Sequence, residues 1–475
     1  MRLSRLTLLA GMALAATPAL ADDLRGALAM AYSSNPQMQA ARAQQRAVDE
    51  GVPIARSASL PSVSGTANWT EYVHNSGTSP LAPDRNLDLA ANASMPLYAG
   101  GAIKNSIRAA KTRVAAGQAD LRATESGVFS QVVTAYMDVI LAEAVVGLNR
   151  SNAKQLEVNL QATRDRFEIG DLTRTDVAQS QSRLALANGQ VRSAEAQLIS
   201  ARERYIQVIG KAPEALQTPP PLPGLPAAVD DAVHTALDNN PDLIAAHERS
   251  KAASFDTAVA GAGRLPTIGV FTGVDRTDSL GTNNLPGVTQ SVTSTIAGLR
   301  ATIPLFQGGL PAAQRRQAQA REGAVLEQQI GIEREVVAAT RSAFASWQAA
   351  TALITSSQTA VDAATLSLEG VRAENTVGNR TILDILNAEQ ELLNAQVQLV
   401  TAQRNAYVAG FNLLSAMGKA EARDLGLDGG ALYDPMTNYN RVKNTIWDWQ
   451  SDPAPKAQST RTVDTKAQDG SVTHP

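Results

Sequence analysis

Over residues 86–97 every odd position is apolar (Leu87, Leu89, Ala91, Ala93, Met95, Leu97) and most even positions are polar. A period of two predicts a β-strand with one greasy face. Residues 62–73 alternate less cleanly around Val63, Ala67 and Trp69, with Glu71 as a fault in the pattern. Two further strands are expected at 267–276 and 295–305, and the stretches rich in Gly, Pro, Asn and Ser within each strand pair read as loops. Elsewhere the pattern is helical. No proline lies between Gly101 and Ile169, so one helix is expected over 101–169, about 100 Å long at 1.5 Å per residue. A return helix over 173–210 stops at the Pro-rich stretch 212–228, and a second, from 229 to about 261, leads to the next strand. Two stacked shorter helices therefore match the length of the uninterrupted one. The second half repeats the plan with helices over 309–377 and 381–417, and a helix over 22–58 supplies the remaining return segment.

The halves are copies. Asn35-Pro36 aligns with Asn240-Pro241, and Leu60-Pro61 with Leu265-Pro266, at one offset. Pro96-Leu97-Tyr98-Ala99-Gly100-Gly101 aligns with Pro304-Leu305-Phe306-Gln307-Gly308-Gly309 at an offset three residues larger, which also pairs Gly170 with Gly378 and Gly210 with Gly418. A register kept over so long a stretch marks a duplicated unit. The expected organisation is a first repeat over 22–211, a linker over 212–228, a second repeat over 229–420, a segment over 421–450 and a tail over 451–475. That tail is rich in Ser, Thr, Lys, Gln and Pro and is expected to be disordered. Trp447 and Trp449 precede it, and docking on the outside of the helices is the role considered for them.

The N-terminus changes the compartment. Arg2 and Arg5 precede a short apolar run, and Ala19-Leu20-Ala21 offers a small-residue cleavage site, so 1–21 reads as a cleaved secretory signal peptide. That run is too short to span a bilayer, and no later stretch is expected to be long and uncharged enough to do so. Any membrane contact must then be made by strands.

Composition narrows the class. The chain has 475 residues, 44% of them apolar but only 4% aromatic, with long stretches of Ala, Gln, Leu, Val and Ser suited to thin, closely packed helices. A net charge of −3 without a basic cluster gives no reason to expect nucleic acid. Cysteine is absent, so neither a disulfide nor a lipid attached through an N-terminal cysteine is available. His74, His234, His247 and His474 are scattered and read as surface residues, which leaves no metal site. No hydrolase, zinc-protease or phosphate-loop signature is present, so neither an enzyme nor a cofactor is expected.

Four strands cannot cross a membrane alone, because open edges leave backbone donors and acceptors unpaired in hydrocarbon. Three chains would supply twelve strands, within the even-numbered range of outer-membrane barrels, and the helices would then enclose a hollow cylinder below. Trp69, Tyr72, Tyr98, Phe271 and Phe306 lie at or near strand ends, where an interfacial aromatic belt belongs; ordinary strand packing is the other reading of each. A periplasmic coiled-coil filament is the competing architecture, and the alternating strands speak against it.

The chain resembles the TolC family of outer-membrane efflux and secretion channels over nearly all of its mature length. The resemblance is carried by the Asn-Pro and Leu-Pro pairs, the Pro-Leu-aromatic-x-Gly-Gly stretches, and the motifs Ile169-Gly-Asp-Leu-Thr-Arg-Thr-Asp-Val and Val377-Gly-Asn-Arg-Thr-Ile-Leu-Asp-Ile. It implies an α+β membrane protein: a homotrimer with a twelve-stranded barrel in outer-membrane lipid and a long periplasmic helical barrel. The implied partners are a periplasmic adaptor and an inner-membrane RND or ABC transporter, and the implied function is the exit duct of an efflux pump or type I secretion system. Drug efflux and protein secretion stay undivided, because specificity resides in the pump.

The helix tips hold the candidate site. Thr173/Asp176 and Thr381/Asp384 read as capping boxes; in a trimer the two aspartates would also form carboxylate rings that attract cations. The resemblance implies that Asp384 lines the pore constriction and that Thr175, Asp176 and Arg380 tie neighbouring helix pairs shut. Two positions depart from the family pattern: Asn387 stands where a second acidic ring is expected, and Asn375 where the closing network has an aromatic residue. A single ring implies a weaker cation trap and a looser lock. Gly170 and Gly378 read as helix-end residues, and the resemblance implies that the tips, with Leu172 and Asn379, receive the adaptor.

Overall fold

The computed structural model describes residues 23–74, 83–280, 290–427 and 432–472. The expected signal peptide and much of both strand-pair loops lie outside them. The first half runs α1 (Leu24–Ser34), α2 (Pro36–Asp49), α3 (Gly51–Ser57), β1 (Ser62–Glu71), β2 (Arg85–Ala99), α4 (Ala102–Glu168) and α5 (Arg174–Ile209). The second runs α6 (Val229–Asn239), α7 (Pro241–Ala262), β3 (Thr267–Leu280), β4 (Ser291–Thr302), α8 (Leu310–Thr376) and α9 (Ile382–Ala416), with α10 (Pro435–Val442) beyond it.

The return helices are interrupted where the sequence reading had them continuous over 22–58 and 229–261. Pro36 and Pro241 each open a new helix at the first position, where the missing N–H does no harm, and the preceding Asn caps it. Asn35 Oδ1 accepts from Gln37 N–H at 2.8 Å while its Nδ2 donates to the Val208 carbonyl at 2.8 Å. Asn240 repeats the joint, accepting from Asp242 N–H at 3.0 Å and donating to the Ala416 carbonyl at 3.0 Å. One amide thus starts one helix and satisfies a bare carbonyl at the end of another.

The strands form one antiparallel sheet in the order β1-β2-β3-β4. Directly paired residues share a face, so the register assigns the faces. Trp69 pairs with Leu87, Ala67 with Leu89, Ala91 with Val274 and Val270 with Leu299, which makes one face largely apolar, although the ion-paired Arg276 and Asp278 stand on it opposite Leu89 and Leu87. Asn68 with Asp88, Asp88 with Thr277 and Ser62 with Ser94 make the other polar, although Val292 and Ile296 intrude from β4. Glu71, the fault in the alternation, lies at the strand end opposite Arg85, 3.8 Å from its Nε. A bulge between Pro96 and Tyr98 sets Tyr98, not Leu97, opposite Ile268 and so onto the apolar face. Phe271 departs from the belt expectation: it pairs with Ser94 on the polar face, its ring 4.9 Å from the Arg300 guanidinium carbon. Phe306 lies beyond the end of β4, which stops at Thr302, two residues before Pro304, a residue with no N–H to give a ladder.

Gly100-Gly101 and Gly308-Gly309 turn strand into helix, with Gly101 at φ 82° and Gly309 at φ 81°, a region that penalises any Cβ. The core sits midway, where Leu28 of α1, Phe129, Val132 and Tyr136 of α4, Leu198 and Tyr205 of α5 and Phe411 of α9 meet. Part of α4 is long and apolar enough to cross a bilayer, more than a third of it buried within the chain, contrary to the expectation that no such stretch exists. The reason is structural: α4 is the helix that α1 to α3, α5, α7 and α9 pack around. α8 has the same 67 residues but buries five among them, and Leu326, Ile330, Leu353 and Leu366 stay exposed.

The tail was expected to be disordered; among its described residues, Asp469, Gly470 and Val472 lie against the helices. Arg202, only 8% exposed at its side chain, donates to the Asp469 carbonyl at 2.9 Å, Arg150 donates to the Gly470 carbonyl at 2.9 Å, and Val472 packs on the core. Backbone carbonyls, which composition does not register, supply these contacts. Trp447 and Trp449 remain 69% and 86% exposed.

Candidate functional site

Both long helices end in the same turn. Gly170 at φ 82° and Gly378 at φ 83° close α4 and α8, with Asp171 N–H on the Arg166 carbonyl at 2.9 Å and Asn379 N–H on the Glu374 carbonyl at 2.9 Å. Thr173 and Thr381 then start α5 and α9 in full capping boxes. Asp176 Oδ2 accepts from Thr173 N–H at 2.9 Å and its hydroxyl at 2.7 Å; Asp384 Oδ2 does the same with Thr381 at 2.9 Å and 2.8 Å. The Thr173 hydroxyl, then its N–H, hold the Asp176 carboxyl below the ordinary range, and the Thr381 N–H and hydroxyl do so for Asp384. Both carboxylates are ionised at neutral pH.

An ion pair straps each turn. Arg166 Nε donates to Asp171 at 2.7 Å across the first, and Arg380 Nε donates to Glu374 at 2.7 Å across the second. Asn375 Nδ2 donates to the Arg380 carbonyl at 2.7 Å, so Arg380, Asn375 and Asp384 share one tip while Thr175 and Asp176 share the other. Gly170, Gly378, Asn379 and Thr175 are exposed, and Leu172 is half-buried. Within the chain Arg380 is tied to its own hairpin.

Of the residues that link the hairpins, the sequence reading singled out Asn387 and passed over Arg183, Asn159, Arg372 and Glu389. Arg183 of α5 donates to Asn387 Oδ1 on α9 at 2.7 Å, so the position without a carboxylate is held as a neutral acceptor. Two residues further on and on the buried side of α9, Glu389, 5% exposed, accepts from Asn159 of α4 at 2.7 Å and from Arg372 of α8 at 2.8 Å. That node joins three helices. Glu389 lies between Leu386 and Leu393 in the buried stripe of α9, and a charge at such a position was the available signal.

A family model described as outer membrane efflux protein matches residues 27–211 and 232–419. The chain is 33% identical over 439 residues to the outer membrane efflux protein BepC of Brucella suis biovar 1, covering 92% of this chain and 94% of that protein. It is 29% identical over 481 residues to the outer membrane protein TolC of Escherichia coli K12, covering 96% of each. The alkaline protease secretion protein AprF of Pseudomonas aeruginosa is 26% identical over 414 residues, covering 84% of this chain and 85% of that protein. Among solved structures, CusC superposes with a TM-score of 0.73 at 18% identity, covering 84% of this chain and 92% of that one, which speaks to the fold.

Proposed function

This chain belongs to the outer membrane efflux protein family, whose members are channel proteins, and from that premise we propose how its own residues form and gate the duct. It is an outer-membrane channel with a periplasmic helical extension, an exit duct for efflux or type I secretion. The proposal adds that three copies close the sheet into a barrel. The supporting observation is a four-stranded sheet in which, among the described residues, β1 and β4 are each paired on one side only, carried on helices about 100 Å long. The apolar face, Trp69 and Tyr98 included, faces lipid; the polar face lines the passage. An inner-membrane RND or ABC transporter supplies the energy, and a periplasmic adaptor docks at Gly170, Leu172, Gly378 and Asn379. By binding the open tips more tightly than the closed ones, the adaptor shifts the gate.

In the closed state each Asp384 gives Oδ2 to its cap, and three copies present a carboxylate ring to the lumen; the Asn387 positions add no charge to it. The polar ties of Asp176, Thr175, Arg380 and Asn375 hold the tips together. Single-channel conductance of Arg380→Ser and of Asp176→Ala in planar bilayers tests this reading. Both are expected to exceed the wild type, and conductance unchanged in both would refute a polar latch at the tips.

A further inference from the structure

Where α1, α2 and α4 meet the segment after α9, the chain encloses a cavity of about 370 Å³ lined in part by Tyr32, Arg42, Glu125, Arg423 and Tyr433. Arg42 is 7% exposed and lies between two rings, its guanidinium carbon 4.4 Å from the Tyr32 centroid and 5.0 Å from that of Tyr433. Among the described residues its Nε and Nη2 have no hydrogen-bond partner, and the enclosed Tyr433 hydroxyl has none either.

The neighbouring acids do not fill the gap. Glu125 accepts the Ala422 N–H at 2.6 Å, Glu421 takes Arg122 at 2.6 Å, and Asp434 caps α10 through the Met436 N–H at 2.8 Å. Burial pushes the Glu125 carboxyl up against the opposing pull of the Ala422 N–H, Arg42 and Arg122, and it makes no hydrogen bond to the Arg42 guanidinium among the described residues. The cavity therefore holds a guanidinium packed near two tyrosine rings, with its Nε and Nη2 donors unspent among the described residues. Leaving such donors unmade is costly, and the group that matches a planar fork of N–H donors is a planar carboxylate. The cavity also opens toward exposed Arg423 and Met436, which gives a path inward.

We propose that this cavity binds a small carboxylate anion, its oxygens accepting from the Arg42 guanidinium and the Tyr433 hydroxyl. Arg423 at the mouth suits a second carboxylate, which makes a short dicarboxylate a better fit than acetate. The occupant would fasten the segment bearing Ala422 and Tyr433 to α2 and α4, joining the chain's two ends at the level of the core.

Titrating succinate, acetate and inorganic phosphate separately into the detergent-purified full-length protein, with calorimetric detection, tests the proposal. Succinate is expected to bind saturably and more tightly than acetate or phosphate. Arg42→Gln should weaken succinate by about tenfold or more, the loss of one charge-assisted hydrogen bond. Tyr433→Phe keeps the ring over Arg42 and guards against a folding defect; it should weaken succinate several-fold with the oligomer intact. Absence of saturable succinate binding to the wild type, equal binding by both variants, or saturable binding of phosphate alone would each overturn it.

Discussion

Each tip carboxylate is engaged through Oδ2 alone, because the capping box asks for one oxygen to take both the N–H and the hydroxyl of the N-cap threonine. Among the described residues Oδ1 of Asp384 accepts no hydrogen bond, so the capping and ring readings of that residue are compatible. The T-x-x-D spacing made the caps legible in the sequence. Glu389 was not legible in the same way, because its partners Asn159 and Arg372 lie on other helices and only packing brings them within 2.7 Å and 2.8 Å. Glu389→Gln should weaken the joint between the hairpins by about 2 kcal/mol, since a charge-assisted acceptor becomes a neutral amide beside Arg372. The measurement is opening frequency in planar bilayers: an increase is expected, and an unchanged frequency would show that the node is not part of the closed state.

Among the elements, helix lengths and strand faces were legible because period and punctuation are local. The breaks at Pro36 and Pro241 were not, although the Asn-Pro pairs stood in plain view as repeat markers. Their role depends on the ends of α5 and α9, whose bare carbonyls they receive. Asn240→Ala removes an N-cap and strands the Ala416 carbonyl, so the junction should lose about 1–2 kcal/mol. Faster amide exchange in the first turn of α7 and the last of α9 would report it. The belt residue Phe271 was misplaced because parity fixes a face only once the register is known.

The helix tips and the buried carboxyls of α2 and α4 should also answer acid in opposite senses. Asp176 and Asp384 sit below their ordinary values. Their stabilisation is present above the unfolded value near 4 and is lost as pH falls through the folded one. Asp49, enclosed beside Gln45 and Asn438, and Glu125 sit above theirs because burial disfavours the charge. Their contribution is present in full below about 4 and is lost as pH rises through the folded value. Hydrogen exchange, corrected for intrinsic rates, should therefore show α2 and α10 better protected at pH 5 than at pH 8, with the tip turns unchanged over that range. Less protection of α2 at the lower pH would contradict the assignment.

For the whole molecule, the duplication was the most legible feature, since matched offsets need no structure to be seen. That several chains share the sheet follows from a physical argument about unpaired backbone in hydrocarbon, and that they number three is what the family resemblance implied. The monomer supports that argument from two sides: β1 and β4 stand at opposite edges of the sheet, and α8 leaves its apolar residues exposed along one side of the helices. The proposed closure is head-to-tail, with β4 of one copy beside β1 of the next, and it ends when the ring is complete. The docking of the tail at Asp469 and Gly470 escaped the sequence reading because polar composition is silent about contacts through backbone carbonyls.

The absence of native cysteine allows a direct test of that closure. Single cysteines are placed along β1 from Ser62 to Glu71 and paired with single cysteines along β4 from Ser291 to Thr302, then oxidised in isolated outer membranes and separated on denaturing gels. The account predicts a narrow set of cross-linking positions in antiparallel register and a ladder that stops at three chains. Cross-links at no position, or a ladder running past three, would contradict it.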